Sequence, residues 1–274
     1  MQVGRCAFAI GAAATLAGCI LFTDTGGFSE DEKPPTDSGT DTAVTDTKVD
    51  DVVVPVDASE AGDAGSDAPM FHDDFERANS TAIGNGWIEK TPDVFEILGG
   101  AAVKSEAGAG GVQYHDALVY RPEAEDRADV EATGTLVLGP KVMHPQIFVR
   151  AQRSTVNAAM AYEAYILFLT DLSEAKIARQ RGSLDEVGLA GMTLPQLIAG
   201  QRIRLTLRAT GEMPVKLEAL IDRLEAGTET RIGTLVFYDD TADRLSTPGA
   251  TGFTAAYDTI MTVDDFAWRA LGTR

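Results

Sequence analysis

Between Gln201 and Ala209 apolar side chains fall on every second position: Ile203, Leu205, Leu207 and Ala209 alternate with Arg202, Arg204, Thr206 and Arg208. Successive side chains of a strand point to opposite faces, so this pattern belongs to a strand with one dry face and one wet one. The segment 215–221 continues it less regularly, and Thr210-Gly211-Glu212 reads as the turn between the two. Further strands are predicted at 71–75, 94–98, 101–104, 130–138, 146–151, 162–170, 176–180, 232–238, 251–256 and 261–268. Turn residues separate them about every ten residues, the spacing of a β-sandwich. One wet face per strand implies antiparallel sheets. A short helix is expected near 194–199, but no long helical period occurs and βαβ architecture is disfavoured. Residues 70–274 are therefore expected to form an all-β, antiparallel two-sheet sandwich.

Before residue 70 the pattern changes twice. Residues 1–5 carry one positive charge, at Arg5, and residues 6–17 are an unbroken run of apolar and small residues. A run of about a dozen is too short to span a bilayer, which needs roughly 20. It reads as a signal peptide over 1–18. From Thr23 to Pro69 there is neither a helical nor an alternating period, and Asp, Thr, Ser, Gly, Pro and Ala dominate. Such a stretch buries too little apolar surface to offset its chain entropy, so 19–69 is expected to be a disordered acidic linker. At this length a flexible chain has an r.m.s. span of about 40 Å, enough to hold a domain away from a surface.

Charge sharpens this division. The formal net charge is −19, and residues 20–70 contribute 13 Asp/Glu against 2 Lys. The folded part is thus only moderately acidic. The overall sign excludes nucleic acid as a partner, because phosphate binding needs a basic patch. Both cysteines, Cys6 and Cys19, lie in the first twenty residues. The sandwich therefore has neither disulfides nor thiolate metal sites and rests on burial alone.

Two resemblances follow from short motifs. Leu16-Ala17-Gly18-Cys19 resembles the lipobox of bacterial lipoproteins. That implies cleavage before Cys19, acylation of its sulfur, and a firm membrane anchor through several chains. Ile20, in place of the Asp that retains such proteins in the inner membrane, points to the outer membrane. The opening Phe71-His72-Asp73-Asp74-Phe75-Glu76-Arg77-Ala78-Asn79-Ser80 with Gly84-Asn85-Gly86-Trp87, and the closing Val263-Asp264-Asp265-Phe266, resemble the first and last strands of concanavalin A-like lectin/glucanase jelly rolls, laminin-G-like domains included. The resemblance implies a jelly-roll sandwich. It also implies a structural Ca²⁺ held by the Asp264 side chain with the carbonyls of Asp74 and Gly100, oxygen donors of the kind calcium takes.

Other chemistry is sparse. The glucanases of this fold place their carboxylates on one strand as Glu-x-Asp-x-Glu, a string that does not occur here. Glu123-Ala124-Glu125-Asp126 after Pro122 reads as a loop, and Asp129 with Glu131 lacks a third partner. His72, His115 and His144 have no Gly-x-Ser-x-Gly elbow to serve. Gly108-Ala109-Gly110-Gly111 is not followed by a helix and reads as a loop, as does Asp239-Asp240-Thr241-Ala242-Asp243. For sugar stacking the candidates are Tyr114, Tyr120, Tyr162, Tyr165 and Tyr238; Trp87 and Trp268 are assigned to the core. The sequence thus points to a lipid-anchored envelope protein carrying a binding module, for glycan or for an envelope protein. The alternatives are a glycoside hydrolase with an unrecognised carboxylate site and a purely structural envelope protein.

Overall fold

The computed structural model describes residues 70–104, 117–140, 143–153, 162–170, 172–181, 185–255 and 259–272. The chain divides into Met1–Asp57, which lies outside these residues, and Ala58–Arg274, which holds the strands. The signal peptide, Cys19, the linker, Tyr114, His115 and the glycine run at 108–111 also lie outside the described residues.

In chain order the first strands are β1 (Phe71–Asp73), β2 (Ile88–Glu89), β3 (Glu96–Ile97), β4 (Ala102–Lys104) and β5 (Val119–Arg121). Next come β6 (Val130–Leu138), β7 (Met143–Arg153), β8 (Tyr162–Thr170), β9 (Glu174–Arg181) and β10 (Asp185–Thr193). The last are β11 (Arg202–Thr210), β12 (Val215–Glu225), β13 (Thr228–Asp239), β14 (Ala250–Ala255) and β15 (Met261–Ala270). One sheet has the order β13-β12-β11-β6-β15-β4-β3, with β1 also paired to β15. The other has the order β10-β9-β8-β7-β14-β5-β2. Neighbouring strands in both sheets run antiparallel, as alternation required.

The core lies between the two sheets. Ile203, Leu205, Leu207 and Ala209 of β11 are fully buried and meet Tyr165, Leu167 and Leu169 of β8 within one apolar cluster. Trp87 sits at one end of that cluster, with ring centroids 5.1 Å from both Phe253 of β14 and Phe266 of β15. Trp268 is buried as well, so both tryptophans belong to the interior.

Two expectations need correction. Residues 194–199 are not helical: Leu194 N–H donates to Ser173 O and Leu197 N–H to Leu172 O, so the backbone bonds outward to the β8–β9 turn. Leu194 and Leu197 are buried as plugs of the core, and Pro195 cannot donate within a helix. The segment after Arg121 is instead a 3-10 turn at Pro122–Asp126.

Asp73, at the end of β1, anchors the chain entry. Its carboxylate accepts from Arg77 Nη1 at 2.7 Å, Trp87 Nε1 at 2.8 Å, Phe75 N at 2.9 Å and Asn85 Nδ2 at 3.0 Å. Burial alone would raise its pKa, but these four donors outweigh it and hold the carboxyl below the usual aspartate value. A depressed folded-state value means the stabilisation is complete above the unfolded value of 3.8 and is lost as pH falls through the folded one. Thermal melts between pH 7 and pH 2 should show a loss of stability below about pH 4 that Asp73→Asn diminishes. At pH 7, Asp73→Ala should cost roughly 3 kcal/mol, because Trp87 Nε1 and Arg77 lose a buried partner.

Candidate functional site

Among the described residues an apolar crevice between Leu138, Pro145, Ile260 and Met261 is too tight to admit a water molecule. The outer faces of the sheets carry the other candidate groups.

On the eight-stranded sheet the register builds the outer face row by row. Val236, Glu218, Arg208, Glu131 and Arg269 form one row across β13, β12, β11, β6 and β15. Thr234, Leu220, Thr206, Thr133 and Ala267 form the next, and Arg231, Asp222, Arg204, Thr135 and Asp265 the one after. Charge is cancelled locally. Glu131 accepts from both Arg208 and Arg269, Asp222 from Arg231 at 2.5 Å, and Glu229 from Arg204 at 2.6 Å. His72 pairs with Asp265 at 2.7 Å. A glycosidase needs an acid and a base or nucleophile facing one bond; here each of these carboxylates faces an arginine or a histidine.

Of the five tyrosine candidates, the four that are described separate by exposure. Tyr162 and Tyr165 are buried, Tyr120 is half-buried, and Tyr238 is 57% exposed on edge strand β13. Tyr238 pairs in register with Lys216, and Val236 beside it with Glu218. The open ring thus has an ammonium opposite it and a carboxylate one row along, the latter paired with Arg208 at 3.4 Å.

The seven-stranded sheet has a different outer face. Ile88, Tyr120, Gly252, Phe148, Ile166 and Ala178 share one row. A Cβ at Gly252 would lie 2.0 Å from Val119 O and 2.9 Å from the Phe148 ring, so only glycine fits there. Leu118, Phe148, Tyr162, Ala164, Ile166, Phe168 and Ala178 form a second apolar cluster. The expectation of one wet face therefore fails at β8, which is buried on both sides. Thr254, Gln146, Phe168 and Lys176 form the adjoining row. On the other side of the Ala178 row, Glu186 faces Gln180, and desolvation pushes its carboxyl up despite the opposing pull of Lys176.

The acidic run at 239–243 is not simply a solvated loop. Asp239 is fully buried and accepts from Tyr165 Oη and Arg179 Nη1, each at 2.8 Å, and from Thr241. This network bridges the two sheets. Burial, followed by the hydrogen bond to Asp239, raises the Tyr165 phenol above its ordinary value. Nearby, the buried Arg150 donates to the carbonyls of Ala128, Leu245 and Gly211.

The three positions expected to hold calcium surround one break in the sheet. β4 ends its pairing to β15 at Ala102↔Val263 and β1 at Asp73↔Phe266, leaving Asp264 and Asp265 between. Gly100 and Asp74 lie just beyond those ends. A Cβ at Gly100 would stand 2.7 Å from Glu76 Oε2, so a further carboxylate packs there. The Asp264 carboxylate, however, pairs with Arg202, and Asp74 accepts from Glu76 N at 3.1 Å. Among the described residues no group of three or more His, Cys, Asp or Glu side chains is assembled for a metal.

No protein-family model matches the sequence, and no curated protein matches it. Solved structures do. A protein of unknown function with a galectin-like fold from Bacillus subtilis is 12% identical, with a TM-score of 0.49 over 76% of this chain and 98% of that one. The Ca²⁺/Man-bound VIP36 exoplasmic/lumenal domain is 12% identical, with a TM-score of 0.42 over 70% of this chain and 80% of that one. A mutant of the GH43 protein BlXynB from Bacillus licheniformis is 16% identical, with a TM-score of 0.45 over 73% of this chain. This chain spans only 39% of that one. The fold rests on the chain's own strand pairing: it is an all-β sandwich of two antiparallel sheets.

If calcium enters the break, it competes with Arg202 for Asp264. Adding millimolar Ca²⁺ should then raise the melting temperature by a few degrees, and Arg202→Gln should enlarge that gain. A melting curve indifferent to Ca²⁺ and chelator in both proteins would remove calcium from this site.

Proposed function

We propose that this chain is a lipid-anchored protein of the bacterial envelope whose jelly roll is a binding module for glycan. The observation that carries the module is Tyr238, an open aromatic ring on a sheet edge, with Lys216 opposite it and Glu218 one row along. Sugar rings present one face of C–H groups and a rim of hydroxyls. The phenol ring matches the first, and the neighbouring charged groups supply donors and acceptors for the second. Shallow sheet surfaces suit an extended chain better than a small molecule.

The anchoring half of the proposal is supported by the lipobox at Leu16-Ala17-Gly18-Cys19 and by the acidic spacer that follows it. Cys19 is the proposed acylation site, and the outer membrane the proposed location. A Ca²⁺ ion around Asp74, Gly100 and Asp264 would be structural, pinning the first and last strands together.

Two measurements test this reading. On a glycan array, the full chain in detergent should bind a restricted set of glycans. Tyr238→Ala should weaken that binding about tenfold, the equivalent of 1.4 kcal/mol, while leaving the melting temperature essentially unchanged. Loss of folding on substitution, or binding that ignores the ring, would dismiss Tyr238. In detergent phase partition the mature protein should enter the detergent phase with fatty-acid mass on Cys19, and Cys19→Ala should return it to water.

A further inference from the structure

The connection from β1 to β2 turns at Gly84-Asn85-Gly86-Trp87, where Trp87 N–H donates to Gly84 O at 3.0 Å. Asn85 and Gly86 have φ of 49° and 75°, both left-handed, as the central pair of a type I′ turn requires. Asparagine tolerates such a φ better than most residues. Glycine suits the second place twice over: its φ is free, and a Cβ there would stand 2.7 Å from Arg121 Nη1. Glu123 holds that guanidinium through Nε and Nη2. The turn thus selects an Asn-Gly pair, and of the three asparagines in the chain Asn85 alone precedes a glycine.

We propose that Asn85-Gly86 is a self-modifying site, at which Asn85 deamidates through a cyclic imide and loosens the clamp on Asp73 and Trp87. Gly86 N attacks Asn85 Cγ. The N–Cγ bond forms, the Cγ–Nδ2 bond breaks, and Nδ2 leaves as ammonia with the proton from Gly86 N. Water then opens the imide at either carbonyl, leaving aspartate or isoaspartate at position 85.

The surroundings favour each step. Asn85 is exposed, so hydroxide and water reach it. Among the described residues no backbone carbonyl accepts from the Gly86 N–H. Attack requires that nitrogen without its proton, and peptide resonance shares the resulting charge with Asn85 O. Arg121 Nη1 already donates to that oxygen. With Arg121 only 7% exposed, its guanidinium stabilises the amide anion as an oxyanion hole does. The amide that is lost donates to Asp73 Oδ2 at 3.0 Å, and Trp87 Nε1 donates to the same oxygen at 2.8 Å. A carboxylate in its place faces Asp73 with like charge, so the reaction runs one way and weakens the entry of the chain into the sandwich.

The test is to incubate the full chain in detergent at mildly alkaline pH and body temperature, folded and in concentrated urea, and to map peptides by mass spectrometry. Position 85 should convert to aspartate and isoaspartate faster in the folded protein than in urea. Arg121→Gln should slow the folded reaction severalfold; if that variant does not fold, the comparison with urea decides alone. Asn85→Asp should melt a few degrees below the wild type, and Asn85→Gly should keep its melting temperature through the incubation while the wild type loses some. An intact Asn85 after incubation, conversion no faster than in urea, or an Asn85→Asp protein that melts with the wild type overturns the proposal.

Discussion

The packing of Trp87 across both sheets is the interaction on which the sandwich closes. Its ring touches Phe253 from one sheet and Phe266 from the other, with Phe75 and Phe71 completing the contacts. An indole buried this way must place its N–H, and Asp73 takes it. The same carboxylate binds Arg77 and Asn85, so one acid fixes strand β1, the turn after it and the tryptophan together. Arg121 adds a second clamp: its guanidinium lies 3.9 Å over the Phe71 ring and pairs with Glu123 at 2.5 Å. Without a thiol after Cys19, no covalent bridge can do this work.

Much of the fold was legible because antiparallel strands with one wet face announce themselves by alternation. Strands β6 and β8 fall at the expected bounds, and β11 within one residue. What escaped were segments whose pattern is diluted. Strand β10 contains Gly188 and Gly191, too small to signal a face, and β2 and β5 have two and three residues. Leu194, Leu197 and Ile198 carry a helical spacing, yet backbone bonds to the β8–β9 turn decide their conformation. Periodicity records which side chains are buried and says nothing of where the backbone finds its partners.

The candidate sites were less legible because face and partner depend on register. Tyr165 and Tyr238 look alike in sequence, but one bonds to Asp239 inside the sandwich while the other is open at an edge. Asp239 itself stands at the head of an acidic run that suggests water, and only pairing across the sheets reveals its burial. Likewise Asp264 reads as a free ligand until β11 places Arg202 beside it. The alternation of Arg with Thr along β11 was visible; that it meets Glu131 and Glu218 on both sides was not.

Strand β7 shows how the same backbone device can serve two ends. Its second irregularity, between Val149 and Gln152, turns Arg150 inward at φ of 54°, where each of its three guanidinium nitrogens donates to a carbonyl, and Nη2 also to Asp129. Strain there is repaid in full by hydrogen bonds that tie the β11–β12 turn and the 240–249 segment to the sheet. The first irregularity, between Met143 and Gln146, has a φ of 56° at His144 and the same departure from register, but around it two buried oxygens go without donors. The two shifts are alike in backbone and differ in the side chain each re-aims.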